Sequence, residues 1–143
     1  MAADETFPLP RFDLDALRWF SSEGRAVQRL SMSKECEVLL VCWQPGQHSS
    51  YHDHGDSESV VAVLSGSMVA RNGTEERTVR AGEVLVTPRG VHHEMRNDGP
   101  EPASTLHVYA PPTGRPVSPP FIDRTEVPTD TRTDTRTDIR PDI

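Results

Sequence analysis

No apolar run in this sequence approaches the ~18–20 residues that a helix needs to cross a bilayer, so it holds no candidate membrane-spanning helix. The stretch from Met1 to Pro10 lacks the basic-then-apolar layout of a secretory leader. Both absences lead to the expectation of a cytoplasmic protein. Cysteine is scarce, with Cys36 and Cys42 the only two. They share a strand-like apolar run, where a separation of about 20 Å at the strand rise rules out a disulfide. Both are expected to be reduced packing residues. A basic patch is missing too. The formal net charge is −7, which argues against nucleic acid as a partner. A length of 143 residues suits one domain.

Periodicity organises what is there. Residues 11–23 have a helical look, with Leu14, Leu17 and Phe20 on one face and Asp13 able to cap the start. From about residue 26 the period changes to two. Glu37 to Trp43 reads as a buried strand ended by Gln44-Pro45-Gly46, and Val60 to Leu64 as another ended by Ser65-Gly66. Asn72-Gly73 between Met68–Arg71 and Arg77–Arg80 signals a hairpin. Glu83 to Thr87, His92 to Arg96 and Ala103 to Ala110 supply further strands. Many short strands with closely spaced turns predict an all-β barrel or sandwich. From Pro111 the chain turns proline-rich. From Thr125 it becomes a near-repeat of Thr, Asp and Arg with almost no apolar content to offset the entropy of ordering. The expected layout is an N-terminal segment with a short helix (1–24), a barrel (25–124) and a disordered tail (125–143).

Two motifs carry chemistry. The first runs Gly46, five residues, His52-Asp53-His54, then Gly66; the second runs Gly82, five residues, Pro88-x-Gly90, two residues, His93, three residues, Asn97. Strand residues i and i+2 share a face, so His52 and His54 can project into a barrel lumen together while Asp53 points away. His93 closes a three-histidine set from a distant strand. Imidazole suits Fe, Zn, Cu and Ni, so ligand type alone does not name the metal. His92 competes with His93, but the spacing from Gly90 and to Asn97 favours His93. His48 reads as an exposed loop histidine.

These motifs resemble the two signature motifs of the cupin superfamily, and imply a small single-domain jelly-roll-like β-barrel. Within it, residues 26–112 resemble the cysteine dioxygenase family of thiol dioxygenases. The likeness rests on Cys42-Trp43-x-Pro45-Gly46, His52-Asp53-His54-Gly55-x-Ser57, His93 with Asn97, and above all Leu106-His107-Val108-Tyr109-Ala110-Pro111-Pro112. Most cupins place a glutamate ligand where this chain has Ser59, and thiol dioxygenases lack it, as the mammalian enzymes do with a cysteine that cross-links to the tyrosine. Ser59 cannot form that link, so the chain is similar to the bacterial members. Glu58 lies one residue away and would reach the site only through a strand bulge, giving a four-ligand site.

The resemblance implies iron(II), a small thiol and O2 as reactants, a sulfinate as product, and a monomer or homodimer. Three neutral imidazoles leave the metal its full charge, which suits an anionic thiolate. Thr105, His107 and Tyr109 fall on one strand face and take the places of the family's Ser-His-Tyr relay, with Tyr109 a candidate for proton transfer. A buried, hydrogen-bonded core histidine is the plainer reading of His107. Substrate choice in the family hinges on an arginine or glutamine in an early strand, and this chain offers Gln28 and Arg29 side by side. Aligning the family's leucine on Leu30 puts Gln28, Leu30 and Met32 inward and Arg29 outward. Arginine is the better carboxylate partner, which keeps Arg29 open. A metal-binding cupin without oxygenase activity, such as an isomerase or sensor, and a barrel with a structural zinc are the rival readings.

Overall fold

The structure, a computed structural model, describes residues 9–114, 117 and 120–125. Among the described residues are one helical turn, α1 (Leu14–Leu17), and nine strands. These are β1 (Arg25–Met32), β2 (Glu37–Trp43), β3 (Glu58–Ser65), β4 (Ser67–Asn72), β5 (Glu75–Arg80), β6 (Val84–Thr87), β7 (Glu94–Arg96), β8 (Ala103–Ala110) and β9 (Phe121–Asp123). A six-stranded sheet in the order β6-β3-β8-β2-β1-β9 faces a three-stranded sheet, β5-β4-β7. The fold is all-β, as the periodicity predicts, and is the jelly roll that the resemblance to cupins implies.

Alternation along the strands sorts residues between two clusters. Inward residues such as Leu39, Val41, Trp43, Val61, Val63 and Met68 form the core between the sheets. On the outer face, Leu17, Ala26, Leu40 and Cys42 form a second cluster, against which Phe12, Trp19 and Phe20 pack. The helix is shorter than its pattern suggests. Asp13 caps it as expected, its carboxylate accepting from Ala16 N at 3.2 Å. Consecutive Trp19 and Phe20 both serve the outer cluster, and a helix would send them about 100° apart. The chain extends at Arg18 instead. Both cysteines are free thiols, Cys42 buried and Cys36 half-buried just ahead of β2.

Two glycines bring distant segments together. At Gly66 φ is +74°, and a Cβ would stand 2.6 Å from Pro102 O, so only glycine lets β3 turn into β4 against the start of β8. A Cβ on Gly24 would stand 2.8 Å from the Pro120 carbonyl carbon. Just beyond that approach β9 pairs parallel with β1, Arg25 opposite Phe121. Thr125, the first residue of the expected tail, belongs to the barrel: its Oγ1 accepts from Arg29 N at 2.9 Å. The rest of that tail lies outside the described residues. Among the described residues no helix is long and apolar enough to cross a membrane.

Candidate metal centre

His52 and His93 sit directly opposite each other in an isolated antiparallel bridge. Each donates its N–H to the other's carbonyl, at 2.9 and 2.8 Å. His54 follows in the loop before β3, held by a turn in which Gly55 N donates to Asp53 Oδ1 at 3.1 Å. The His-x-His segment is thus not regular strand, as its spacing suggested, yet the rings converge. Centroids lie 4.6 Å apart for His52–His54, 5.0 Å for His52–His93 and 4.9 Å for His54–His93. One ring nitrogen from each falls within 4.8 Å of the others.

Backbone carbonyls decide which nitrogen is offered. His52 Nδ1 is bonded to Ser50 O and His93 Nδ1 to Val91 O. A carbonyl only accepts, so both rings carry the proton on Nδ1 and present a bare Nε2. His54 Nε2 lies 3.3 Å from His93 Nε2. Burial lowers the pKa of His52 and His93, outweighing the carbonyl bonds that raise it, and favours the neutral rings a metal requires. Three convergent ring nitrogens fit a divalent transition metal. Among the described residues no carboxylate joins them: Glu58 is exposed at the start of β3. His92 is exposed, stacks on Tyr51 and lies 3.4 Å from Asp53. His48 is an exposed loop residue.

Beside this centre β8 lays out Thr105, His107 and Tyr109 on one inward face. Thr105 Oγ1 lies 2.7 Å from His107 Nε2, and His107 Nδ1 lies 3.0 Å from the Tyr109 hydroxyl. Trp43, in the sequence only a motif residue, completes the chain by donating Nε1–H to Thr105 Oγ1 at 2.9 Å. With that lone pair filled, the threonine proton has two outlets, Val41 O at 3.5 Å and His107 Nε2 at 2.7 Å. The shorter bond makes Nε2 the acceptor and Nδ1–H the donor to Tyr109. The tyrosine's own proton is then free for the cavity. Burial pushes His107 down to about 3 and Tyr109 up, so one stays neutral and the other protonated. Tyr109 reaches the centre directly, its ring 4.6 Å from that of His54.

A cavity of about 250 Å³ joins these parts. Its lining includes Arg25, Val27, Arg29, Glu37, Leu39 and Met95 with the three histidines. The register assigned to Gln28 is therefore corrected. In β1–β2 pairing Val27 lies opposite Val41 and Arg29 opposite Leu39, and opposed residues share a face. Gln28, opposite Leu40, is buried on the outer face beside Cys42 and Trp19. Leu30, the residue on which the alignment was anchored, sits at a bulge between Arg29 and Ser31. Arg25 also went unnoticed in the sequence, although period two from Arg29 leads to it. It stacks on Trp43 at 5.4 Å, and burial lowers its pKa to about 10. Asn97 is structural: its Nδ2 donates to Trp43 O and Glu101 O.

The cupin domain family model matches residues 39–109, which contain both motifs, the three histidines and the relay. A crystal structure of TT1209 from Thermus thermophilus superposes with a TM-score of 0.66 at 33% identity, covering 70% of this chain and 95% of that one. Germin-like protein subfamily 2 member 2 from Arabidopsis thaliana is 32% identical over 93 residues, 60% of this chain and 42% of its own. Cysteine dioxygenase type 1 from Rattus norvegicus is 30% identical over 89 residues, 52% of this chain and 44% of its own. The chain thus spans less than half the length of these last two relatives. The fold, the two motifs and these likenesses agree that the chain belongs to the cupin family.

Proposed function

We propose that the protein is a non-heme iron(II) thiol dioxygenase that joins a small thiol and O2 into a sulfinate. The observation that carries this reading is a three-imidazole face with no carboxylate ligand among the described residues, flanked by a tyrosine whose proton points into the cavity. The likeness to rat cysteine dioxygenase supports it. His52, His54 and His93 would hold the metal through their Nε2 atoms. An iron(II) ion held there would supply the redox chemistry for joining dioxygen to a thiol sulfur. Leu39, Val41 and Met95 line the cavity with apolar surface and limit water at the site. Tyr109, kept protonated by burial, donates a hydrogen bond to an acceptor beside His54. His107 holds that hydroxyl in place, and Thr105 orients His107. Arg29 presents a guanidinium for a carboxylate on the thiol. Two unpaired thiols in the chain suit a reducing, cytoplasmic setting.

The test is oxygen uptake by anaerobically iron(II)-loaded protein over a thiol panel, with sulfinate followed by mass. Uptake matched by sulfinate is the expected result; full iron with no uptake for any thiol would sink the proposal. The germin-like likeness favours a second reading, a metal-binding cupin of non-oxygenase chemistry, for which no thiol is consumed.

A further inference from the structure

The pairing of His52 with His93 is an isolated bridge rather than a ladder, and the residues beside those two ligands meet at the surface. Tyr51 and His92 stack there, ring centroids 5.8 Å apart at 29°. Tyr51 is 43% exposed and adds little to the core, yet the tip of the β4–β5 hairpin grips it. Its hydroxyl accepts from Gly73 N at 3.0 Å, and the Arg71 guanidinium carbon lies 4.9 Å from its ring centre. Arg71 is itself fixed, donating Nε–H to Glu94 Oε1 and an Nη1 hydrogen to Gly73 O, both at 2.8 Å. Glu94 follows His93 in the chain, so the hairpin is tied to both sides of the bridge. Asn72 adds a second tie by donating Nδ2–H to the His92 carbonyl. The Asn72-Gly73 turn, in the sequence only a hairpin signal, is thus also the contact with the ligand segments. None of Tyr51, Arg71, Asn72 and Gly73 lines the cavity.

From these contacts, and resting on His52, His54 and His93 as metal ligands but not on any thiol chemistry, we infer that Tyr51 and the β4–β5 tip form a clasp that presets the spacing of the two ligand segments and so sets how tightly the metal is held. Ligands spaced before the ion arrives lose less freedom on binding it, and that saving appears as affinity. Tyr51 is a positioning residue. It acts through its neighbour His52 and through the stack on His92, the neighbour of His93. Metal retention is therefore tunable from the surface, with no change to a group that borders the cavity.

The probe is cobalt(II), whose visible bands report ligand geometry, added to the metal-free full chain with a competing chelator. Tyr51→Ala removes the stack, the hydroxyl bond and the cation contact together. It should weaken cobalt binding roughly tenfold to a hundredfold, the range for losing a partner just outside a metal's own ligands, and should change the bands. Tyr51→Phe keeps the ring and loses only the Gly73 bond, so its loss should be about two- to tenfold. This variant carries the test where Tyr51→Ala fails to fold. Glu76→Ala cuts a surface ion pair of the same sheet, Arg96 to Glu76 at 3.3 Å, and should leave cobalt binding unchanged. Wild-type affinity and bands in Tyr51→Ala, or in Tyr51→Phe where that variant stands alone, overturn the inference. So does an equal loss in Glu76→Ala. A weaker affinity with wild-type bands and a lower melting temperature of the metal-free chain also overturns it, since Tyr51 is then a structural residue alone. A wild-type chain that takes up no cobalt, or takes it up equally well after His93→Ala, refutes the three-histidine centre, and the clasp falls with it.

Discussion

The histidine centre and the tyrosine relay share one cavity but are aimed by opposite means. Thr105, His107 and Tyr109 come from a single regular strand, and the two-residue period alone puts them on one face. His52, His54 and His93 come from a two-residue bridge and a loop, where no period holds. Their rings are aimed by neighbouring carbonyls, Ser50 O on His52 and Val91 O on His93. A strand fixes direction through its whole ladder. A loop ligand depends on one or two local bonds, and in exchange it can reach a geometry that a flat strand cannot supply.

Substitutions on the two sides should separate binding from turnover. The largest effect belongs to the centre. His93→Ala removes one of three nitrogens and should abolish stoichiometric iron binding, read by elemental analysis; one full equivalent retained would show that the set is wrong. Next is the relay. Tyr109→Phe should keep its iron and lose turnover by roughly 10²-fold, the lower range for a positioned proton donor. Unchanged turnover would make the hydroxyl structural.

A pH titration of the metal-free protein sharpens the contrast further. His107 is held at about 3 against an ordinary 6.5, chiefly by burial, and His52 and His93 are lowered in the same way. Between those values the unfolded chain binds more protons than the folded one, so stability falls as pH drops from 6.5 towards 3. The slope from His107 alone is about 1.4 kcal/mol per pH unit, measurable from urea midpoints. His107→Gln should flatten it, and an unaltered slope would mean that other groups carry the acid sensitivity. The smallest expected effect is that of Gln28→Ala. Gln28 faces the outer cluster, so thiol affinity read by calorimetry should not change, whereas a clear loss would return Gln28 to the cavity wall.

Much of this was legible in the sequence because local pattern and global fold agree. The bounds of β2 follow from its continuous apolar run and those of β8 from its alternation, and with β8 came the whole relay. The choice of His93 over His92 followed from motif spacing, and in the structure the ring of His93 is buried and that of His92 exposed. What was misread depends on partners far along the chain. The phase of β1 is set by its pairing with Leu39 and Val41, and the bulge beside Leu30 spoils a leucine-anchored alignment. Trp43 as the source of the relay's direction needed a hydrogen bond across 62 residues. Strand β9 had no local signal at all. Three residues beyond a proline-rich stretch become a strand only because β1 offers them an edge.

That edge has a consequence for how the chain is made. Thr125 lines the cavity and is bonded to Arg29, 96 residues earlier. On a ribosome, β1 emerges long before the segment that completes its wall, and parallel pairing over such a separation is among the slowest contacts to form. The histidines and the relay are all synthesised by residue 109, before the cavity's last wall exists. Until β9 docks on β1, the cavity that gathers the three histidines therefore stays open on the side that Thr125 lines.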